Sequence, residues 1–161
     1  MDAERYAAKS LVRFWAKVDK TADCWIWGGA LTNGYGRFVY KIDDQLTTGY
    51  AHRFSYELVN PQIPGGMYLD HTCHNRACVN SEHLRLVTTK QNNENKLIGV
   101  DNSSGLRGVS WDPRRKKWRA GIGHNGQTIN LGRYASLAEA EAAVVARRNE
   151  LFTHNDADRT V

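Results

Sequence analysis

The amino-acid sequence predicts an α+β chain of two small units, each combining antiparallel strands with short helices. Three observations predict this class. Short apolar segments alternate with tight turn signals, helical spacing is confined to a few segments, and one run rich in cysteine and histidine has little periodicity. With 161 residues, of which 41% are hydrophobic, the chain can form one ordinary domain or two small ones.

The first part of the chain should begin with a helix, followed by a small antiparallel sheet and a second helix. Residues 1–21 contain an amphipathic helix over 5–18, indicated by Ala7, Leu11, Phe14, Trp15 and Val18 at helical spacing. The strand-like segments "CWIWGG" and "YGRFVY" flank Asn33-Gly34, a hairpin-turn signal, and a third strand spans 46–50. The segment "HRFSYELV" then predicts a short helix before Pro61.

A strand, an irregular segment and a helix should follow. "MYLDH" predicts the strand, and residues 72–87 need something other than a large core to hold them. Thr88 and Gln91 form a capping-box pattern for a helix that runs to about Ile98. We expect residues 22–98 to form one domain, followed by a linker over 99–104.

The predicted second domain, residues 105–154, should be a three-stranded antiparallel sheet packed on one helix, with a tail over 155–161. The strands are "RGVSW", "KWRAGI" and "TINLGRY", and Asn125-Gly126 marks the turn between the last two. Ser136 and Glu139 form the capping box of the final helix. The apolar stripe of that helix consists of Leu137, Ala140, Val144 and Leu151.

Positive charge is concentrated in this second domain. The net charge of the chain is +5, and residues 105–135 hold seven cations against the single acid Asp112. A basic cluster on a short segment predicts a phosphate-binding surface, although a solvated loop has the same composition.

The segment "HTCHNRACVNSEH" contains three of the six histidines and two of the three cysteines. Thiolate and imidazole are ligands of tetrahedral zinc, which can fasten a loop that has no core of its own. Cys73 and Cys78 enclose four residues, and His83 follows after four more. The fourth ligand is Cys24, the remaining cysteine, or else His74, which directly adjoins Cys73. The alternative is that the cysteines are small buried hydrophobic residues.

His71 then stands outside the zinc ligands, next to Asp70 at the end of a predicted strand. Asn92 follows on the helix "TTKQNNENK", which contains three asparagines although asparagine is a poor interior helix residue. The strand–loop–helix order allows His71 and Asn92 to face each other across a cleft. Strict alternation directs Asp70 and His71 to opposite faces, so both can serve one site only if the strand bends or ends there.

These motifs resemble the ββα-metal fold of HNH (His-Me finger) endonucleases over residues 22–98. "CWIW", "GYGR", "AHR" and "HTCHNRACVNSEHL" are similar to motifs of phage HNH proteins, and the cysteine spacing resembles that of His-Cys box homing endonucleases. The resemblance implies that His71 is a general base, that Asn92 and Asp70 bind one divalent ion, Mg²⁺ or another, and that Asn80 is structural. The cations that can contact a phosphate here, or else are ordinary surface residues, are Arg53, Arg37 and Lys41.

The second domain resembles the APETALA-two/ethylene-response-factor DNA-binding domain over about residues 104–153. Independently, strand alternation places a basic, glycine-containing face opposite the helix, where an antiparallel sheet can present it to the major groove. The resemblance implies double-stranded DNA as the partner. The expected contacts to bases or phosphates are Arg107, Arg114, Arg115, Lys117, Arg119 and Arg133.

The sequence therefore predicts a metal-dependent DNA endonuclease of homing or phage type, with structural Zn²⁺ and a histidine general base. The alternative is a non-catalytic, zinc-stabilised, sequence-specific DNA-binding regulator, and a more distant one is an RNA-directed nuclease. No segment is apolar enough to span a membrane, and the N-terminus lacks the apolar core of a signal peptide. We therefore expect no membrane partner and a cytoplasmic location, in the host cell if the protein is phage-encoded. A homodimer is left undecided.

Overall fold

The computed structural model describes residues 6–20, 23–96, 98–99 and 102–159. The chain folds into two compact units, a first unit of residues 1–89 and a second unit of residues 90–161. The predicted α+β class with small antiparallel sheets is confirmed, since every strand pair of the described residues is antiparallel. In this part of the chain, no helix has the length and apolar character needed to cross a membrane.

The described residues of the first unit form two α-helices, a 3-10 turn at Ser81–His83 and three small sheets, ordered β1-β2, β3-β4-β5 and β6-β7. Its elements are α1 (Ala8–Trp15), β1 (Val18–Lys20), β2 (Trp25–Trp27), β3 (Leu31–Thr32), β4 (Tyr35–Ile42), β5 (Gln45–Tyr50), α2 (Ala51–Val59), β6 (Tyr68–His71) and β7 (Leu84–Val87).

Strand pairing near the N-terminus differs from the prediction. The Asn33-Gly34 turn is present, and its φ angles of 52° and 83° are those of a two-residue hairpin turn. It joins β3 to β4, however, whereas β2 pairs with β1. The predicted first helix ends earlier than expected because Val18 pairs with Trp27 across this second ladder.

An aromatic cluster forms the core of the first unit and joins α1 and α2 to the sheets. Phe14, Trp27, Phe38 and Phe54 are buried and lie ring against ring. Gly36 is required at the centre of this packing, because an added Cβ would lie 2.6 Å from Trp27 Cδ1. The core thereby fixes the start of α2, which carries His52, beside β4.

The second unit has the predicted strands and final helix, together with most of a short helix that precedes them. Its elements are α3 (Thr89–Glu94, whose first residue belongs to the first unit), β8 (Val109–Asp112), β9 (Lys117–His124), β10 (Gln127–Tyr134) and α4 (Leu137–Leu151). The helix predicted to reach Ile98 ends at Glu94. The described part of the predicted linker is ordered by the Asn102 side chain, which donates to the Leu106 carbonyl.

Helix α4 packs on one face of the sheet β10-β9-β8. The predicted capping box is confirmed, since the Ser136 hydroxyl accepts from Glu139 N while the Glu139 carboxylate accepts from Ser136 N. Ala140 and Val144 of the helix are buried with Ala120 and Ile122 of β9. The opposite face of β9 carries the exposed side chains of Lys117 and Arg119, as strand alternation predicts.

Candidate metal centre and functional site

Four side chains of the first unit converge on one point, the only such group among the described residues. They are Cys24, Cys73, Cys78 and His83, and their ligand atoms all lie within 4.8 Å of one another. Cys24 precedes β2, and the others lie in the β6–β7 connection, which the backbone bridge between Ile26 and Cys78 brings beside β2. The structure thus groups Cys24, rather than His74, with the three local ligands.

The spacing within this group fits a tetrahedral zinc ion. Zn–S and Zn–N bonds of about 2.3 and 2.05 Å at the tetrahedral angle give an S···N edge of about 3.6 Å. The Sγ atoms of Cys24 and Cys78 each lie 3.6 Å from His83 Nδ1. The side chains therefore have the geometry of a closed four-ligand site.

The thiols also show that the group suits a cation. Burial and the neighbouring Cys73 and Cys78 raise the pKa of the Cys24 thiol to about 12. Burial likewise raises the pKa of Cys73. Three thiolates cannot accumulate beside one another without a counter-charge, and a coordinated metal supplies it by binding the deprotonated form.

Two further residues hold the ligands in place. His83 Nε2 lies 3.3 Å from Asp23 Oδ1, which orients the ring so that Nδ1 faces the thiols. The backbone N–H of Asn80 lies 3.4 Å from Cys78 Sγ, and its side chain donates to Asp23 O and accepts from Glu82 N. Asn80 therefore bonds loop backbone on both sides, as expected of a structural residue.

His71 ends β6 and lies apart from the four-ligand group. Its Nε2 is 3.0 Å from the carbonyl oxygen of Cys78. A carbonyl only accepts, so the neutral ring carries its proton on Nε2 and leaves the Nδ1 lone pair able to take a proton. The loop that contains Cys78 thus fixes the tautomer of His71, which is not a member of the four-ligand group.

A second histidine, His52 of α2, packs against His71 with the ring centroids 4.9 Å apart. Burial lowers the pKa of His71, and burial together with the neighbouring His71 and Arg53 lowers the pKa of His52 to about 3. Both rings are therefore neutral near pH 7. The sequence pointed to His52 only as a residue at the start of a helix, and its contact with His71 depends on tertiary packing.

Asp70 has a partner that the sequence analysis missed. Arg85 Nη2 and Nε donate to Asp70 Oδ2 over 2.8 and 3.1 Å, because the two residues are directly opposite in the β6–β7 ladder. Pairing "YLDH" with "LRLV" in antiparallel register would have revealed this ion pair. The strand ends at His71, which packs on His52, whereas Asp70 faces Arg85.

Arg76 is a cation near His71 that the sequence analysis did not single out. Arg76 stacks over the Tyr35 ring at 5.4 Å and contributes to the lowered pKa of His71. Arg53 lies on α2 near Tyr40; burial and the charge of Glu57 raise the pKa of that tyrosine, and Arg53 opposes the rise. The Arg37 guanidinium stacks over the Tyr50 ring at 4.8 Å. Lys41 is exposed on β4.

Asn92, the other predicted catalytic residue, lies in the middle of α3, half-buried within the second unit. The capping pattern of Thr88 and Gln91 correctly marked the start of this helix.

In the second unit, the exposed face of the sheet has a shallow groove of about 330 Å³. Arg119 and Thr128 line it, with Gly121 and Gly123 between them. An added Cβ at Gly123 would meet nothing within 4 Å, so packing within the protein does not require glycine there. The absence of a side chain leaves the backbone of this face open to approach.

Two arginines predicted to contact DNA have partners within the protein. Arg107 donates to carbonyls at the end of α3, and Arg133 Nε donates to Asp112 Oδ2 over 2.9 Å. Arg114 and Lys117 are exposed, and the backbone N–H of Arg115 donates to the Asp112 carboxylate in the β8–β9 turn.

The fold and site together define a ββα segment, β6-β7-α3 in chain order, whose β6–β7 connection supplies three members of the Cys₃His group while Cys24 supplies the fourth. A family model described as HNH endonuclease matches residues 49–94, a range that holds α2, His71 and Asn92. The chain belongs to the HNH endonuclease family.

The chain is similar to several viral proteins. Protein 3.8 of Escherichia phage T7 is 35% identical over 96 residues, which cover 60% of this chain and 78% of that protein. Uncharacterized HNH endonuclease L560 of Acanthamoeba polyphaga mimivirus is 30% identical over 118 residues, 73% of this chain and 60% of that protein. Protein 7.7 of phage T7 is 39% identical over 76 residues, covering 47% of this chain and 55% of that protein.

No solved structure matches this chain. The family match ends at residue 94, so the resemblance of residues 104–153 to the APETALA-two/ethylene-response-factor domain stays a prediction.

Proposed function

We propose that the protein is a metal-dependent DNA endonuclease that hydrolyses phosphodiester bonds with His71 as the general base. The observation that carries this proposal is the environment of His71. Its Nε2 is bonded to the Cys78 carbonyl, burial keeps the ring neutral, and Nδ1 is the nitrogen that remains to take a proton from water.

The structural metal of this proposal is Zn²⁺, held by Cys24, Cys73, Cys78 and His83. Because the same loop supplies the carbonyl that orients His71, the zinc ligands set the geometry of the base while taking no part in the reaction. This division of labour also accounts for three nearby histidines with different roles: His83 binds metal, His71 accepts a proton, and His74 lies outside the ligand group.

The second ion of the proposal is divalent, Mg²⁺ or a similar ion, held by the amide oxygen of Asn92 and the carboxylate of Asp70. Amide and carboxylate oxygens are the hard ligands that such ions prefer, and the ion would counter charge on the scissile phosphate and leaving oxygen. Arg85 fixes the carboxylate of Asp70, so its charge is already shared with an arginine. Arg76, close to His71, and Arg53 are the cations proposed to contact a phosphate.

The proposed substrate is double-stranded DNA, positioned by the exposed face of the sheet in the second unit. Lys117 and Arg119 contact phosphates or bases there, and Gly121 and Gly123 let the backbone approach closely. Arg114 and Arg115, on the β8–β9 turn, grip phosphates. The phage and mimivirus relatives support a mobile nuclease of phage or homing type.

A non-catalytic DNA-binding regulator is the second candidate, and the Asp70–Arg85 ion pair is the observation that favours it. An arginine that neutralises this carboxylate is what a domain without a catalytic ion would contain. A plasmid-nicking assay over Mg²⁺, Mn²⁺ and Ca²⁺, with DNA affinity measured in parallel, separates the two. The nuclease proposal predicts metal-dependent cleavage by the natural protein and its loss in Asn92→Ala with affinity retained. Binding without cleavage in every ion would support the regulator.

A further inference from the structure

Helix α3, which carries Asn92, is too short to hold its own shape. It has six residues, and helices of fewer than about twelve are marginal in water without tertiary contacts. Glu94, the last residue of the helix, and Asn95, which follows it, are nevertheless each only 4% exposed. Contacts within the second unit account for this burial.

The Glu94 side chain fastens α3 to the segment that follows α4. Its Oε2 accepts hydrogen bonds from Thr153 N, Thr153 Oγ1 and His154 N at 3.0, 3.1 and 3.3 Å. The neighbouring Asn95 Oδ1 accepts from Asp156 N at 3.1 Å. A buried carboxylate with three donors is costly to disturb, so this end of the helix has one well-defined position.

Arg107 fastens the same end of α3 from the other side. Its Nη1 donates to the carbonyls of Glu94 and Lys96 over 2.8 and 2.7 Å, and its Nη2 donates to Asn93 O over 3.4 Å. Helix ends leave such carbonyls without partners, and a cation is favourable there. The guanidinium also stacks over the Phe152 ring at 5.6 Å.

We propose that Glu94 and Arg107 are positioning residues for Asn92, the metal ligand proposed on this helix. The inference rests on the proposed function. A metal ligand must be held to within about 0.5 Å of its working position, and Asn92 lies in the helical turn that these contacts lock. This role also accounts for the direction of the Arg107 guanidinium, whose donors meet backbone carbonyls at the end of α3.

Two substitutions of like chemistry test the proposal. In the full chain, Arg107→Met removes the carbonyl contacts of α3, and Arg119→Met removes an equal charge from the exposed sheet face. We expect Arg107→Met to weaken Mn²⁺ binding at the Asn92 site by about tenfold or more, as loss of an outer-shell contact does. Titration calorimetry against zinc-loaded protein measures this without turnover. DNA affinity without divalent ions should be unchanged. Arg119→Met should instead leave Mn²⁺ binding unchanged and weaken DNA affinity.

Thr153→Val provides a second variant should Arg107→Met disturb folding, because it removes one donor to Glu94 and keeps the shape. We expect faster hydrogen exchange at the α3 amides, a smaller loss of Mn²⁺ affinity, and protection of β9 and β10 unchanged. Unaltered Mn²⁺ affinity in both variants, or a fall in DNA affinity and salt dependence for Arg107→Met, would overturn the proposal. Failure of the proposed function gives a different result. In that case the Asn92→Ala variant binds Mn²⁺ and cleaves DNA no differently from the natural protein.

Discussion

The two units of this chain keep their shape by different means. In the first unit, a long connection between β6 and β7 is held by the Cys₃His group beside an aromatic cluster. In the second unit, whose described residues contain no comparable ligand group, a regular sheet packs on α4 through small and branched side chains. The comparison shows that a cluster of cysteine and histidine side chains lies where the backbone is irregular, whereas a regular sheet is held by an apolar core.

The largest effect should follow from breaking the Cys₃His group. Cys78→Ser removes a buried ligand, and structural zinc contributes on the order of 10 kcal/mol, comparable to the whole stability of a small domain. We expect loss of bound zinc and of hydrogen-exchange protection in β6 and β7, with protection of β9 and β10 retained. His74→Ala is the matched control, since His74 lies outside the group, and it should keep one zinc. Zinc bound at full occupancy in Cys78→Ser would contradict the assignment.

The matching test in the second unit is a substitution that leaves a cavity in its core. Val144→Ala, in the core between α4 and β9, should lower the free energy of unfolding of the second unit by about 2 kcal/mol. The zinc content should not change. Chemical denaturation followed by tryptophan fluorescence, with zinc measured on the same samples, checks both expectations, and a variant that also loses zinc would show that the two modes of stabilisation are not separate.

The buried histidine pair should make the first unit sensitive to acid. The pKa of His52 is about 3 in the fold against an ordinary value of 6.5, so the unfolded chain binds the extra proton between these pH values. The stability that this group contributes is present above pH 6.5 and is lost as the pH falls towards 3. Each pH unit in that window costs up to about 1.4 kcal/mol.

Substitution of His52 isolates this contribution from acid release of zinc. His52→Phe keeps a ring against His71 but cannot be protonated, so its unfolding free energy should fall less steeply with acid than that of the natural protein. Parallel slopes of the two proteins between pH 6 and pH 5, at saturating zinc, would show that His52 does not titrate in this way.

The smallest effect concerns the exposed face of the second sheet. Gly123→Val adds a side chain where nothing lies within 4 Å, so stability should hardly change. If DNA approaches this face, affinity should fall about tenfold, the order of one lost contact. A Gly123→Val protein with unchanged affinity in a fluorescence-anisotropy titration would exclude close approach at this position.

Local signals in the sequence predicted much of this structure. The Asn33-Gly34 turn, the Ser136 capping box and the alternation of β9 each depend on residues close in the chain, and each is present. Cys24 could be grouped with the loop ligands because it is the only other cysteine. These features need no knowledge of how distant segments pack.

The features that were missed depend on register and tertiary packing. The apolar spacing typical of a helix continues to Val18, but this residue pairs with Trp27 in the β1–β2 ladder instead. Tertiary contact therefore decides where the first helix ends. The Asp70–Arg85 pair requires the exact offset of two strands. The hydrogen bonds from Arg107 to the carbonyls of Glu94 and Lys96 join residues more than ten positions apart, so the count of charges along the chain gave no sign of them.

The central claim is that one histidine reacts while four other side chains only fasten the loop. Single-turnover plasmid cleavage in Mg²⁺, with zinc measured on the same samples, tests it most directly in His71→Ala and Cys78→Ser. We predict that His71→Ala keeps one zinc per chain and loses cleavage, whereas Cys78→Ser loses both. Cleavage that persists in His71→Ala, or loss of zinc from that variant, would contradict the account.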